Sequence, residues 1–440
     1  MRISVIGCGY LGAVHAACMA ELGHEVVGID VDSGKVEQLN SGTAPFHEPG
    51  FDAVLARNVR NGRLRFSTSF EDARGASVHF IGVGTPQVAG GYAADLTYVD
   101  AAVDSLVSIL PPPGEATVLV VGKSTVPVGT ASALAERLAS TAGILVWNPE
   151  FLREGFAVKD TLSPDRIVYG LPQDEASATT ATAALDSVYS SLLDLGITRL
   201  TTDYATAELV KVAANSFLAT KISFINAMAE LCEATGADVT QLAHAIGMDD
   251  RIGPKFLRAG IGFGGGCLPK DIRAFIARAE ELGVGDALAF LREVDAINDR
   301  RRDRVVALAR EVVGGSLSGR HVAILGAAFK PDSDDMRNSP ALDAADRIAS
   351  EGARVVVTDP AAGPVLARQR QDLEIAEDAF AASAGADVVL LLTEWRQFRE
   401  LDPVALGETV RARVIVDGRN VLDPAAWRAA GWTYRGMGRP

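Results

Sequence analysis

Residues 2–12 read Arg-Ile-Ser-Val-Ile-Gly-Cys-Gly-Tyr-Leu-Gly, an apolar strand followed by glycines at positions 7, 9 and 12. Gly-x-Gly-x-x-Gly between a strand and an apolar helix predicts a dinucleotide-binding turn, because glycines let the backbone approach a pyrophosphate at the helix N-terminus. Asp30 ends the next apolar run, where an acid binds ribose hydroxyls and repels a 2′-phosphate. We therefore expect NAD rather than NADP, with Lys35 weakening this preference. A tight turn without a ligand is the alternative.

Outward from this turn, short apolar runs alternate with helical patterns, which predicts parallel sheets with crossover helices. Asp203–Thr235 contains no proline or glycine and predicts one long helix between two α/β blocks. The predicted strands of the first block are Arg2–Ile6, Glu25–Ile29, Ser77–Val83, Thr117–Val121 and Ile144–Trp147. Those of the second block are His321–Leu325, Arg354–Thr358, Asp387–Leu392 and Arg413–Val416.

Composition and charge narrow the class of protein. The chain has 440 residues, of which 48% are hydrophobic and 22% charged, which excludes a disordered protein. A net charge of −14 gives no general attraction for nucleic acid or anionic membranes. No signal peptide or membrane span is apparent, the four cysteines form no Cys-x-x-Cys pair, and the histidines are scattered. We expect a cytoplasmic protein without a metal site, a nucleic-acid partner or a membrane partner.

Three loops follow predicted strands of the first block: Gly84-Thr85-Pro86, Lys123-Ser124-Thr125 and Asn148-Pro149-Glu150. Ligands of doubly wound sheets bind at the carboxyl ends of the strands, so we expect all three loops to face one crevice. Gly122-Lys123-Ser124 resembles the end of a nucleotide-binding P-loop. However, Thr117 stands where that motif requires its first glycine, which excludes it.

The candidate reactive group is Cys267, within Gly-Phe-Gly-Gly-Gly-Cys-Leu-Pro-Lys-Asp at 262–271. Glycines bring the backbone close to a ligand, and Lys270 would favour the thiolate; a buried, incidental cysteine is the alternative. Lys211 and Asn215 are four apart on the long helix, where they could hold a sugar hydroxyl and stabilise an oxyanion. The alternative is a solvated lysine. Glu150 and Glu154 form another pair at helical spacing, or simply two acids at a helix N-terminus.

An NAD site combined with a thiol, a lysine and carboxylates suggests a particular chemistry. A thiol becomes useful when an aldehyde must be captured as a thiohemiacetal and oxidised again to a thioester. This would convert a primary alcohol to an acid with two NAD molecules. Two rivals remain: a two-electron hydroxyacid dehydrogenase, which has no need for Cys267, and a non-catalytic NAD-sensing module.

A series of motifs, in this order, resembles the UDP-glucose/GDP-mannose dehydrogenase family over essentially the whole chain. The motifs are GCGYLG at 7–12, VGTP at 83–86, KSTVPVGT at 123–130, NPEFLREG at 148–155, ELVKVAAN at 208–215, RIGPKFLRAGIGFGGGCLPKD at 251–271 and FKPDSDDMRNSP at 329–340. The resemblance implies two Rossmann-like doubly wound parallel-sheet domains joined by a central helical domain. We place the NAD-binding domain at 1–200, the central dimerisation domain with the cysteine at 201–312, and the UDP-sugar-binding domain at 313–440.

The resemblance also implies roles for individual residues. Cys267 matches the nucleophile; the other predicted catalytic residues are Lys211, Asn215, Asp271, Glu150 and Thr125. The predicted cofactor contacts are Gly7, Gly9, Tyr10, Leu11, Gly12, Asp30, Lys35, Thr85, Pro86, Thr125, Glu154, Lys270 and Arg337. The predicted substrate contacts are Glu150, Phe151, Leu152, Arg153, Glu154, Lys211, Asn215, Arg251, Phe256, Leu257, Arg258, Ala259, Gly260, Gly264, Phe329, Lys330 and Arg419.

Within the family, RIGPKFL and the DGRN segment at 417–420 resemble the branch that acts on UDP-glucose more than the GDP-mannose branch. LPKD after the cysteine argues against the UDP-N-acetylhexosamine branch. The resemblance thus implies four-electron oxidation of UDP-glucose to UDP-glucuronate by a homodimer that shares Arg251 between subunits, with GDP-mannose or another nucleotide sugar as the alternative. Ala227 and Gly266 depart from the family pattern, where an acid and a serine are usual.

Overall fold

The computed structural model describes residues 1–440 and contains two compact units. The first comprises Met1–Ala214 and Arg273–Gly283, and the second comprises Asn215–Ile272 and Val284–Pro440. Each unit contains one sheet, and both sheets are dominated by parallel pairing. The predicted α/β class with two Rossmann-like sheets is confirmed, whereas the domain limits at 200 and 312 stay predictions.

The first unit is built on an eight-stranded sheet with the order β3-β2-β1-β4-β5-β6-β7-β8. Its first six strands have the 3-2-1-4-5-6 order of a dinucleotide-binding sheet, and only the β6–β7 pair is antiparallel. The central strands are buried almost throughout, as strands covered by helices on both faces must be. The strands are β1 (Arg2–Ile6), β2 (Glu25–Ile29), β3 (Leu64–Ser67), β4 (Val78–Ile81), β5 (Val118–Gly122), β6 (Gly143–Trp147), β7 (Arg166–Leu171) and β8 (Thr198–Asp203).

Helices cover this sheet, and two of them begin after an aspartate whose side chain accepts a backbone N–H: Asp32 accepts from Lys35, and Asp174 accepts from Ser177. The helices are α1 (Tyr10–Glu21), α2 (Ser33–Asn40), α3 (Phe51–Arg60), α4 (Thr97–Ile109), α5 (Thr130–Leu138), α6 (Ala157–Leu162), α7 (Glu175–Val188) and α8 (Ser190–Asp194).

Four helices follow, and they occupy the stretch between the two sheets in the sequence. They are α9 (Tyr204–Thr235), α10 (Val239–Gly247), α11 (Leu268–Glu281) and α12 (Ala289–Val312). The long helix predicted over Asp203–Thr235 is confirmed as α9, with 32 residues. No helix of the chain combines the length and the apolar character that crossing a bilayer requires.

The second unit contains a six-stranded, all-parallel sheet with the order β11-β10-β9-β12-β13-β14, the same winding as the start of the first sheet. Its strands are β9 (His321–Leu325), β10 (Arg354–Thr358), β11 (Glu374–Ile375), β12 (Val388–Leu391), β13 (Val414–Asp417) and β14 (Thr433–Gly436). Its helices are α13 (Pro340–Ser350), α14 (Gly363–Gln369), α15 (Ala379–Ser383), α16 (Arg396–Arg399), α17 (Pro403–Gly407) and α18 (Pro424–Ala429).

Five strands were not predicted from the sequence: β3, β7, β8, β11 and β14. Those at sheet edges are short or polar; β8, for example, is almost entirely exposed along Thr198–Asp203. Such a strand has no apolar run to reveal it, because its pairing partner rather than its own burial holds it in place.

Candidate active site

The turn between β1 and α1 uses its three glycines differently. Gly7 has a φ of 86°, and a Cβ there would lie 2.7 Å from Val83 Cγ1. A Cβ on Gly12 would lie 1.8 Å from Gly7 O, so only glycine lets helix and strand pack this closely. At Gly9 a Cβ would meet nothing within 4 Å. The backbone there is open to a pyrophosphate, and the turn therefore fits a dinucleotide.

Asp30, at the end of β2, is held against this turn. Its carboxylate accepts hydrogen bonds from the N–H groups of Cys8 (2.8 Å) and Asp32 (3.0 Å). Lys35 Nζ lies 3.0 Å from Asp30 Oδ2. The lysine thus offsets part of the negative charge of Asp30 that would repel the 2′-phosphate of NADP. For this reason the preference for NAD over NADP is expected to be weaker than Asp30 alone would make it. Burial raises the pKa of the Cys8 thiol, which makes Cys8 a packing residue.

The loops after β4, β5 and β6 open at one edge of the first sheet, as predicted, because these three strands are adjacent and parallel. The Thr85 hydroxyl donates to the carbonyl oxygen of Thr125 at 2.7 Å, which joins the first two loops. Pro86 is exposed beside Thr85, and Leu11 is half-buried in the first turn of α1. These predicted cofactor residues lie in the same unit as the glycine turn.

Glu150 and Glu154 are not in a helix, contrary to the interpretation of their spacing. They lie in an irregular loop, and α6 begins only at Ala157. Side chains take the backbone N–H groups that a helix would use: Glu150 accepts from Leu152 at 2.7 Å. Glu48, a residue that no sequence motif marked, accepts from Gly155 at 2.6 Å and from Ala157 at 2.7 Å.

Tyr10 connects this loop to α1. Its hydroxyl donates to Glu48 and accepts from Gly155 N–H at 3.1 Å. Burial and the carboxylate of Glu48 together raise the pKa of Tyr10, so it stays protonated and acts as a donor. Glu48 is 4% exposed. No local motif marks a lone glutamate more than 100 residues before the loop that it holds.

Lys211 and Glu150 form the central ion pair of the first unit, with 2.8 Å between Nζ and Oε1. Their side chains are 7% and 12% exposed, so the pair is largely removed from solvent. Phe151 packs beside it, with Arg166 Cζ 3.9 Å from the ring centroid. Arg153 instead points outward and pairs with Asp160. A shielded lysine–carboxylate pair can hold a hydroxyl and pass a proton.

In the second unit, Cys267 is exposed and directly precedes α11. The positive end of the helix dipole favours negative charge at this position. Asn215 Nδ2 donates to Asp271 Oδ2 at 2.7 Å, and Lys270 Nζ lies 2.7 Å from Asp271 Oδ1. Two predicted residues, Asn215 and Lys270, thus contact the carboxylate of a third, Asp271, which is only 1% exposed and lies one turn of helix beyond the thiol.

The three glycines before Cys267 each face one residue of the 329–338 segment. A Cβ on Gly264 would lie 2.3 Å from Asn338 O, one on Gly265 would lie 2.8 Å from the Phe329 ring, and one on Gly266 would lie 2.4 Å from Arg337 Cζ. Arg337 is held there by a bidentate pair with Asp335. The glycine at 266, unusual for the resembled family, therefore provides the space that the Arg337 guanidinium occupies.

Arg419 ties together three segments of the second unit. Its guanidinium donates to the carbonyl oxygens of Leu392 (2.7 Å), Gly262 (2.9 Å) and Phe329 (3.0 Å). The predicted substrate loop ends beside it, because a Cβ on Gly260 would lie 3.4 Å from Arg419 Cα. The Gly260 N–H donates to Asn226 Oδ1 at 2.9 Å. Arg419 thus connects the segment around Gly262 to the segment that begins at Phe329.

The remaining predicted substrate residues are more dispersed. Leu257 and Ala259 are buried in a small core cluster, so only their backbone can reach a ligand. Phe256 has a φ of 65° and is partly exposed. Lys330 Nζ lies 5.1 Å from the Phe329 ring centroid. Arg251 is 89% exposed and pairs with Asp249, which sets it apart from Cys267 and its neighbours.

Models of one protein family match three consecutive parts of the chain. Residues 1–193 match the NAD-binding domain of the UDP-glucose/GDP-mannose dehydrogenase family, residues 205–300 its central domain, and residues 323–424 its UDP-binding domain. The chain is 41% identical to the UDP-glucose 6-dehydrogenase of Rhizobium meliloti, with 100% of both chains covered. It is 39% identical to UDP-glucose 6-dehydrogenase TuaD of Bacillus subtilis, with 100% of this chain and 93% of that protein covered.

Solved structures of dehydrogenases share the fold of this chain. A UDP-glucose dehydrogenase from Pyrobaculum islandicum matches with a TM-score of 0.89 at 39% identity, covering 100% of this chain and 98% of that one. A UDP-D-ManNAc dehydrogenase from Pyrococcus horikoshii matches with a TM-score of 0.85 at 28% identity, covering 100% and 99%. The chain belongs to the UDP-glucose/GDP-mannose dehydrogenase family and is an NAD-dependent dehydrogenase with a UDP-binding domain near its C-terminus.

Proposed function

We propose that the chain oxidises the primary alcohol of UDP-glucose to the carboxylate of UDP-glucuronate, with two NAD reduced per sugar. The observation that carries this proposal is the exposed Cys267 directly before α11, close in sequence to the buried Asp271, which Asn215 and Lys270 contact. A two-electron dehydrogenase has no use for such a thiol, whereas a four-electron dehydrogenase must retain its aldehyde.

The reaction proceeds in successive steps. NAD, bound at the glycine turn and Asp30, supplies the hydride acceptor for each oxidation. In the first, the alcohol loses a hydride and a proton, while Lys211 and Asn215 hold the sugar oxygen. The Cys267 thiolate then adds to the aldehyde carbon, and the resulting oxyanion takes up a proton to give a thiohemiacetal. Loss of a second hydride and a proton leaves a thioester. Water, positioned by Glu150, Asp271 and Thr125, hydrolyses it to the acid and frees the thiol.

UDP-glucose is favoured over other nucleotide sugars by the full-length relatives named above and by the RIGPKFL segment at 251–257. The fold alone does not separate the sugars, because a UDP-D-ManNAc dehydrogenase shares it. We assign the sugar and its nucleotide to the loop at 256–260, Gly264, Phe329, Lys330 and Arg419, within the predicted domains 201–312 and 313–440.

A homodimer is supported by α9. Phe217, Phe224 and Leu231 are 67%, 48% and 58% exposed, and their spacing of seven places them on one helix face. An apolar stripe of this kind marks an interface, and we take its occupant to be a second copy of this chain, with Arg251 contributed to the partner's substrate. The four free cysteines support a reducing, cytoplasmic setting.

The test is the NADH yield from a limiting amount of each of several UDP- and GDP-sugars. We expect two NADH per UDP-glucose, with UDP-glucuronate as the product. A Cys267→Ser variant should lose turnover yet bind both ligands, and mass spectrometry should find an ester forming slowly on its new hydroxyl. Matched Cys232→Ser should keep its turnover. One NADH per sugar with free aldehyde, or near-normal turnover by Cys267→Ser, would disprove the covalent mechanism.

A further inference from the structure

Lys123, at the carboxyl end of β5, is a buried lysine that the reaction above does not use. It is 7% exposed, and Nζ donates to Asn148 at Oδ1 (3.0 Å) and at the backbone oxygen (3.3 Å). Removing an ammonium group from water is unfavourable by several kcal/mol. The two hydrogen bonds to the neutral Asn148 offset only part of this unfavourable free energy. A lysine at this buried position therefore suggests a role beyond packing.

The charged groups around Lys123 include the central ion pair. Glu150 attracts the ammonium, and Lys211 on α9 repels it. Burial, assisted by Lys211, lowers the pKa of Lys123 to about 8. His15 on α1 also faces it, but burial keeps the pKa of His15 well below its usual value, so His15 carries no charge near neutral pH. The Phe80 ring of β4 lies 5.8 Å from Nζ.

Asn148 connects Lys123 to Glu150 mechanically. Its backbone N–H donates to Gly122 O at 2.8 Å, and its Nδ2 donates to Val168 O at 2.8 Å. Its Oδ1 accepts from both Lys123 and the Tyr189 hydroxyl, the latter at 2.7 Å. Glu150 follows Asn148 by two residues, with only Pro149 between them. The orientation of Asn148 therefore determines where the glutamate leaves the end of β6.

We propose that Lys123 is a positioning residue for the Glu150–Lys211 pair: through Asn148 it orients Glu150, and its charge lowers the affinity of the pair for protons. This rests on the role assigned to the pair above, and not on which sugar is oxidised. Lys123 contacts neither substrate nor cofactor in this scheme. It keeps Glu150 aligned with Lys211, so that the carboxylate can accept a proton.

The experiment compares the dependence of kcat on pH in five purified full-length proteins, the wild type and four variants, using any nucleotide sugar that the wild type oxidises. Lys123→Met removes charge and anchor together. Asn148→Asp keeps an acceptor for Lys123 but adds a negative charge that offsets the charge of the lysine. Asn148→Ala removes the side-chain acceptor but leaves the lysine in place. Lys159→Met, at an exposed lysine in α6, is the control for loss of a charge.

We expect Lys123→Met to lower kcat about tenfold or more, because Glu150 is misplaced. The acid limb of its pH profile should move upward by about half a pH unit or more, because the pair binds protons more tightly without the neighbouring charge. Asn148→Asp should move the limb in the same direction. Asn148→Ala should lower kcat without moving the limb, and Lys159→Met should change neither.

A purely structural Lys123 would lower thermal stability and the active fraction but leave the acid limb in place. An unmoved limb in both Lys123→Met and Asn148→Asp would therefore overturn the proposal, as would an equal shift in Lys159→Met. Asn148→Asp decides the electrostatic part if Lys123→Met does not fold. A wild type that oxidises no nucleotide sugar would refute the proposed function instead, which is a distinct result.

Discussion

At the scale of single residues, the run Gly264-Gly265-Gly266 brings the cysteine loop into contact with the 329–338 segment of the same unit. Two of the three contacts would be with side chains, which can move. The third would be with the backbone oxygen of Asn338, which Gly264 approaches so closely that a Cβ would lie 2.3 Å from it. Glycine at 264 is therefore a steric requirement of the loop that presents Cys267.

Gly264→Ala tests this requirement. We expect the free energy of unfolding to fall by about 1–3 kcal/mol, as for other overpacked sites. The activity should fall by roughly 100-fold, because the loop that carries the nucleophile must shift. Gly363→Ala is the matched control, since a Cβ there meets nothing within 4 Å. Thermal unfolding and NADH formation provide the readouts, and similar behaviour of the two variants would contradict the steric argument.

At the scale of elements, α5 and α9 are joined through Glu208. This carboxylate, 2% exposed, accepts the N–H groups of Gly129 (2.7 Å) and Ala131 (2.6 Å) at the start of α5. It thereby caps one helix with a side chain from another. Lys211 follows Glu208 by one turn of α9, so the same contact also holds the helix that presents the lysine to Glu150.

Glu208→Gln should destabilise the protein by about 1–2 kcal/mol, because the amide retains only one acceptor for two N–H donors. Glu136→Gln removes the same charge from an exposed position of α5 and should be neutral. Differential scanning fluorimetry of the pair measures the difference. Equal melting temperatures would show that the cap contributes nothing.

At the scale of the whole molecule, the stripe Phe217, Phe224 and Leu231 should be covered by a second chain. Phe224→Asp would place a charge in the centre of an apolar interface, so we expect monomers and a loss of activity. Phe290→Asp, at a residue of α12 that is 52% exposed, is the control and should leave assembly unchanged. Light scattering coupled to gel filtration gives the mass. A monomeric wild type would refute the dimer.

Much of the fold and of the candidate site was predictable from local sequence patterns. The glycine turn with Asp30, the long proline- and glycine-free helix and the glycine-framed Cys267 each lie within a continuous stretch. Eight of the nine predicted strands coincide with observed ones to within one residue at each end, and the ninth, Ser77–Val83, ends two residues beyond its observed strand. Such features depend on neighbours along the chain, so the sequence alone was enough to identify the fold class, the family and NAD.

Other features were decided only by tertiary structure. Glu48 holds Gly155 from 107 residues away, Glu208 caps Ala131 from 77 residues away, and Lys123 anchors Asn148 across 25 residues. Each is a single buried charged residue, and whether its burial is favourable depends on which hydrogen-bond donors and acceptors the folded chain brings to it. The helical interpretation of Glu150 and Glu154 was wrong because side chains rather than backbone oxygens accept the N–H groups of this loop: Glu150 accepts from Leu152 and Asp160 accepts from Arg153. Directly after the loop, the distant Glu48 accepts from Gly155 and Ala157.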